Sequence, residues 1–222
     1  MTARTAVLLS AGLDSAVLAA AEARHTEVHP LYVSAGLAWE AQELAALDRL
    51  LAAPPYARCA PLARLSFTVR DVYPATHWAL RGQPPAFDTP DEDVYLTGRN
   101  IVLLSKGAIY CAQHDIGRLA IGPLAGNPFP DATPAFFAAM AHALSLGLDR
   151  PIGIAAPLAD MEKSAVIRLG IDLGVPLEAT LSCMNPREGR HCGQCSKCRE
   201  RRDAFRKAGV ADPTEYAIPP VR

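Results

Sequence analysis

The stretch TAVLLSAGLDSAVLAAAEAR, residues 5–24, decides the fold. Its opening run, Thr5–Ser10, is short and continuously apolar, which predicts a strand buried on both faces, as in a parallel sheet. Asp14–Arg24 is rich in helix formers and has an acidic start, which predicts a helix. Between them stands Ser10-Ala11-Gly12-Leu13-Asp14-Ser15. A loop at the carboxyl end of a first strand, feeding a helix N-terminus, is where an open α/β sheet binds phosphate groups. Small residues let backbone N–H groups approach the anion, and Ser10 and Ser15 add hydroxyls. No Gly-Lys-Ser/Thr follows, so this is not a Walker loop, and the GxGxxG pattern is absent as well. The plainer alternative is a strand-to-helix turn with Asp14 or Ser15 as its cap.

Outward from that unit the alternation continues. Strands are expected at Glu27–Val33, Leu65–Val69, Arg118–Gly122 and Ile152–Ala155. Helices are expected at Ala38–Ala52, Arg99–His114, Ala135–Leu146 and Glu162–Leu173. Strand–helix alternation with right-handed crossovers implies an α/β fold with a doubly wound parallel sheet. Asp71–Gly98, with four prolines and an acidic run at 91–93, reads as a long loop. Gly122–Pro134 is a second Gly/Pro-rich loop just past a strand.

The end of the chain has a different character. Cys183, Cys192, Cys195 and Cys198 read C-x8-C-x2-C-x2-C. Four thiolates at this spacing close a tetrahedral shell around one structural Zn²⁺. His191 beside them is a fifth candidate that a complete Cys₄ shell does not need. A short helix is expected near Lys197–Lys207, and the basic residues Arg199–Arg202 and Arg206–Lys207 read as a solvated face. The division expected is a nucleotide-binding α/β domain over residues 1–176 and a small zinc-binding subdomain over 177–222.

Composition narrows the class. The chain has 222 residues, half of them hydrophobic, and a net charge of −1. That is enough for one sizeable core and argues against broad nucleic-acid binding. Thiolate metal sites suit a reducing interior. There is no uninterrupted apolar stretch of about 18 residues and no signal-like start. The expectation is a soluble cytoplasmic protein. Cys59 and Cys111 read as core or loop residues. Trp39, Trp78, Tyr95 and Phe87 are expected in packing, with stacking on a base as the alternative.

Ser10–Ser15 resembles the SGGxDS loop of the PP-loop ATP pyrophosphatases. The cysteine tail, TGRN at 97–100, PLADMEKSAVIRLGIDLGVP at 157–176 and LSC at 181–183 resemble the 7-cyano-7-deazaguanine synthase family within that superfamily. The resemblance runs from about Val7 to about Phe205. It implies a PP-loop (adenine nucleotide α-hydrolase type) sheet with a zinc tail, and ATP as substrate with Mg²⁺. It also implies conversion of a deazaguanine carboxylate and free ammonia to a nitrile through an acyl-adenylate, in queuosine or archaeosine precursor synthesis. The nucleotide would lie along Leu9, Ser10, Ala11, Gly12, Leu13, Asp14, Ser15, Ala16, Val17, Leu18 and Ala19. Asp14 would contact Mg²⁺. Lys163 would be a cation on the leaving pyrophosphate, or else a solvated helix lysine. Arg99 would pair with phosphate or substrate carboxylate, or else sit on the surface. Asp131 would take an exocyclic amine of the base beside Phe129, or else serve as a turn residue after Pro130. A homodimer is left open.

Two positions depart from the pattern. Ala11 stands where the family has its first glycine, which matters if φ is positive there. Ala125–Thr133 replaces the family's D-Y-S-G-Y-P-D-C-R-like element and keeps only Pro130 and Asp131, with Phe129 as an aromatic. A changed polar set implies a changed substrate or grip. The competing functions are a PP-loop enzyme that adenylates a tRNA base or a protein partner, and a non-catalytic nucleotide- and zinc-binding module.

Overall fold

A computed structural model describes residues 3–219; residues 1–2 and 220–222, the outer ends of the two expected segments, lie outside the described residues. Five parallel strands form one sheet: β1 (Arg4–Leu8), β2 (Glu27–Ser34), β3 (Ala63–Ser66), β4 (Arg118–Ala120) and β5 (Gly153–Ala155). Their order is β3-β2-β1-β4-β5. The helices are α1 (Leu13–Ala23), α2 (Glu40–Leu51), α3 (Trp78–Arg81), α4 (Arg99–Gln113), α5 (Pro134–Gly147), α6 (Lys163–Asp172) and α7 (Ser196–Ala208).

Side chains alternate across β1, so one strand feeds two cores. Val7 faces a cluster with Val17 of α1, Leu47 of α2, Ile167 of α6 and Phe205 of α7. Ala6 and Leu8 face the other, with Leu104 of α4, Phe137 of α5 and Leu119 of β4. The sheet is therefore covered on both sides, as a doubly wound fold requires. α6 comes so close to α1 that a Cβ on Gly170 would lie 2.8 Å from a Val17 methyl.

The chain runs outward from β1 to β2 and β3, then returns to place β4 on the other side of β1. This reversal opens a crevice beyond the carboxyl ends of β1 and β4. Two expectations are corrected. The third strand is Ala63–Ser66 rather than Leu65–Val69, because pairing with Leu31–Ser34 of β2 sets its register. Asp71–Gly98 is not plain loop: it contains α3 and a 3₁₀ turn at Asp91–Val94, and it buries Ala79 and Val94.

Candidate active site

A cleft of about 400 Å³ occupies the crevice, a volume suited to a small ligand. Its floor is the β1–α1 loop. Ala11 adopts φ +61° and is fully buried, and its carbonyl accepts the Leu181 amide at 2.8 Å. Gly12 is extended and precedes α1 without any side-chain cap. The Ser15 hydroxyl instead donates back to the Gly12 carbonyl at 3.0 Å and accepts the Ser10 amide at 3.3 Å. The first N–H groups of α1 are thus left without a side-chain acceptor, the arrangement an anion completes. Leu9, Ser10, Gly12, Leu13, Asp14 and Ser15 line the cleft. Ala16, Val17, Leu18 and Ala19 do not line it; they are buried in the core beneath.

Lys163, the first residue of α6, reaches into this end. Its ammonium donates to Asp14 at 3.1 Å and to Glu200 of α7 at 2.6 Å. The second Glu200 oxygen accepts from Lys197 at 2.6 Å. Burial works to discharge Lys163, but the charges of Asp14 and Glu200 outweigh it and raise its pKa. Burial likewise opposes the charge on Glu200, and Lys163 and Lys197 overcome it, bringing its pKa to about 2. Lys163 is therefore not a solvated helix lysine.

Arg99, at the start of α4 after Gly98 at φ +76°, also lines the cleft. Its Nε is buried without a partner. Asp131 does not offer a free carboxylate. That group accepts the Asn100 amide at 3.1 Å and Nδ2 at 3.2 Å, while the Asp131 carbonyl accepts Nδ2 at 3.0 Å. Asp131 satisfies an orphan N–H in the first turn of α4, and burial raises its pKa. Phe129 stacks on Tyr95 with centroids 5.1 Å apart. Both line the cleft, but their observed contacts are with the protein.

The four tail cysteines converge and are buried. Sγ–Sγ separations are 3.9 Å for Cys183–Cys195, 3.8 Å for Cys192–Cys198 and 3.5 Å for Cys195–Cys198. A disulfide needs about 2.05 Å, whereas a tetrahedron with metal–sulfur bonds of about 2.3 Å has edges of about 3.8 Å. The set fits one metal ion. Backbone amides of Asn185 and Cys192 point at the Cys183 sulfur, at 3.3 and 3.2 Å, and favour its thiolate. His191 is turned away from this role: its Nε2 accepts the Ser182 amide at 3.1 Å. Burial, helped by Arg201, lowers its pKa to about 3.

A switch-point cleft, an uncapped helix start with a lysine aimed at it and a four-thiol tail are joined in one chain. The family model described as "Queuosine biosynthesis protein QueC" matches residues 4–209. The chain belongs to the QueC family. A 7-cyano-7-deazaguanine synthase of Anaeromyxobacter dehalogenans is 36% identical over 96% of this chain and 96% of that protein. One of Methanothrix thermoacetophila is 36% identical over 96% and 98%. The QueC-family chain is an ATP-using enzyme of the PP-loop ligase type. Among its described residues no helix is long and apolar enough to cross a membrane.

Two buried polar residues, one lining this QueC-family cleft and one beneath it, escaped the sequence reading. Glu43 of α2 is 7% exposed yet lines the cleft. Its carboxyl accepts from Tyr32 Oη at 2.9 Å and Trp39 Nε1 at 3.2 Å. Burial pushes its pKa up to about 7, with the Arg99 charge acting against that rise. Trp39 stacks on Trp78, centroids 5.9 Å apart and planes 11° apart. Arg201 was grouped with a solvated basic face and is instead completely buried. Its guanidinium donates to the Leu177 carbonyl at 2.7 Å and to the hydroxyls of Thr180 at 2.8 Å and Ser182 at 3.3 Å. Helical spacing held both signals: Glu43 precedes Ala46, Leu47 and Leu50 on the buried face of α2, and Arg201 lies between Cys198 and Phe205 on that of α7.

Proposed function

We propose that this chain converts 7-carboxy-7-deazaguanine and ammonia to 7-cyano-7-deazaguanine at the expense of two ATP. The observation that carries the reading is that one cleft is lined both by Lys163, paired with Asp14 at the uncapped start of α1, and by Arg99, whose buried Nε has no hydrogen-bond partner. A triphosphate and a carboxylate are the anions such an arrangement accommodates together.

The α1 amides and Lys163 bind the phosphates and stabilise charge on the departing pyrophosphate. Arg99 orients the substrate carboxylate, one oxygen of which attacks the α-phosphorus. Pyrophosphate leaves, ammonia attacks the acyl carbon, and AMP departs to give the amide. A second ATP activates the amide oxygen; loss of AMP and a proton then leaves the nitrile. Asp14, whose Oδ1 has no protein partner, would help hold Mg²⁺, which neutralises phosphate charge when bound. The cysteines would hold one structural Zn²⁺.

The test is incubation with ATP, Mg²⁺, ammonium and 7-carboxy-7-deazaguanine, followed by mass spectrometry. The nitrile, with two AMP and two pyrophosphate per turnover, is the expected result. AMP formation independent of the carboxylate, or accumulation of the amide as sole product, would overturn the reading.

A further inference from the structure

We infer that Glu200 is a positioning residue: it sets where the Lys163 ammonium stands and ties the nucleotide site to the helix that carries the cysteine cluster. The inference rests on the role proposed for Lys163 above. Lys163 has two carboxylates within reach, and they differ in attachment. Asp14 belongs to the phosphate-binding loop itself, 3.1 Å from the ammonium. Glu200 belongs to α7, is closer at 2.6 Å, and shares its charge with Lys197 at the same distance. With Asp14 as sole partner, the ammonium would settle on the carboxylate beside the phosphates. That closed pair would occupy both groups at once. The pull from Glu200 holds Lys163 open between the two elements.

A positioning group must itself be fixed, and Glu200 sits between two anchors. Cys198, two residues before it, lies in the sulfur cluster. Arg201, the next residue, is locked by its bonds to Leu177, Thr180 and Ser182. Lys197 also stands 3.7 Å from Asp91, and the Glu200 carboxylate has a lysine on either side, Lys163 and Lys197. A surface ion pair joining α6 to α7 would have neither the anchors nor the burial: the Lys163 side chain is only 16% exposed.

The test is a double-mutant cycle with Lys163→Met and Glu200→Gln. It reads the affinity for α,β-methylene-ATP with Mg²⁺ by calorimetry, with bound metal and thermal midpoint measured alongside. Lys163→Met is expected to weaken binding about tenfold in the wild-type background but less than about twofold in the Glu200→Gln background, a coupling that only interacting groups show. Bound metal stays unchanged in Glu200→Gln. Equal losses in both backgrounds would overturn the inference. So would no loss from Lys163→Met in the wild type, or loss of metal from Glu200→Gln, which would make Glu200 a brace for the cluster. Should Glu200→Gln fold poorly, Glu200→Asp retracts the charge by one methylene and must likewise shrink the Lys163 effect; an unshrunk effect counts against the idea. The cycle uses no deazaguanine, so its failure is separate from a failure of the turnover assay.

Discussion

At φ +61° the methyl of Ala11 crowds its own carbonyl oxygen, a conformation costing an L-residue about 1 kcal/mol and glycine almost nothing. The loop tolerates it because the Ala11 carbonyl is held by Leu181 and the residue is completely buried. Ala11→Gly should therefore stabilise the protein by about 1 kcal/mol, raising the thermal midpoint by roughly 3 °C for a chain of this size. A lower midpoint would show that the methyl's packing outweighs the backbone. Glu43 carries a pH dependence. Its folded pKa, about 7, lies above its ordinary 4.5. The folded state keeps the proton longer, so the stability it contributes is present below pH 4.5 and lost as pH rises through 7. Glu43→Gln should remove that decline in urea-unfolding series. Tryptophan emission should shift with a midpoint near 7 in the wild type, since Trp39 donates to this carboxyl, and should not do so in the variant.

Helix α7 shows how one element serves two ends. Its buried stripe of Cys198, Arg201, Phe205 and Ala208 packs inward, while Lys197 and Glu200 reach the cleft. Arg201 also lies over the Phe205 ring at 5.2 Å. Arg201→Met should cost about 3 kcal/mol, because it strands buried acceptors that the guanidinium now satisfies. Arg201→Lys should recover little, since an ammonium cannot reproduce the fork. Urea unfolding of both variants checks this; a Lys variant as stable as the wild type would refute it. The elements were legible where pattern and environment agreed. The apolar run before Ser10 marked β1, and an acidic start marked α1. The pattern misled where pairing or burial ran against residue type. β3 is an edge strand with Ala63 and Leu65 half-buried and Arg64 and Ser66 exposed, so the apolar count favoured residues just beyond it. Arg201 reads as solvated by its charge although it fills a core position, and Asp131, read as a base contact or a turn residue, lies in the Pro130–Ala132 turn and secures the first turn of α4.

Across the whole molecule, the tail packs into the core under the sheet. Cys183, Cys192, Cys195, Cys198 and Phe205 share one apolar cluster with Val7, Leu13 and Val17. Metal removal should therefore be felt everywhere. Chelation under reducing conditions is expected to lower the thermal midpoint by on the order of 10 °C, in one cooperative transition. Two separated transitions in calorimetry would contradict a shared core. The shared core also bears on how the protein is made. Ala11 is translated well before the groups that complete its surroundings: the amide that closes its loop belongs to Leu181, and the strand that flanks β1 on its other side ends only at Ala120. Until residue 181 has been made, the β1–α1 loop exists as sequence without its closing bond. The motif is then translated long before it can take its folded shape, and a nascent chain stalled before residue 181 would carry the motif without the site.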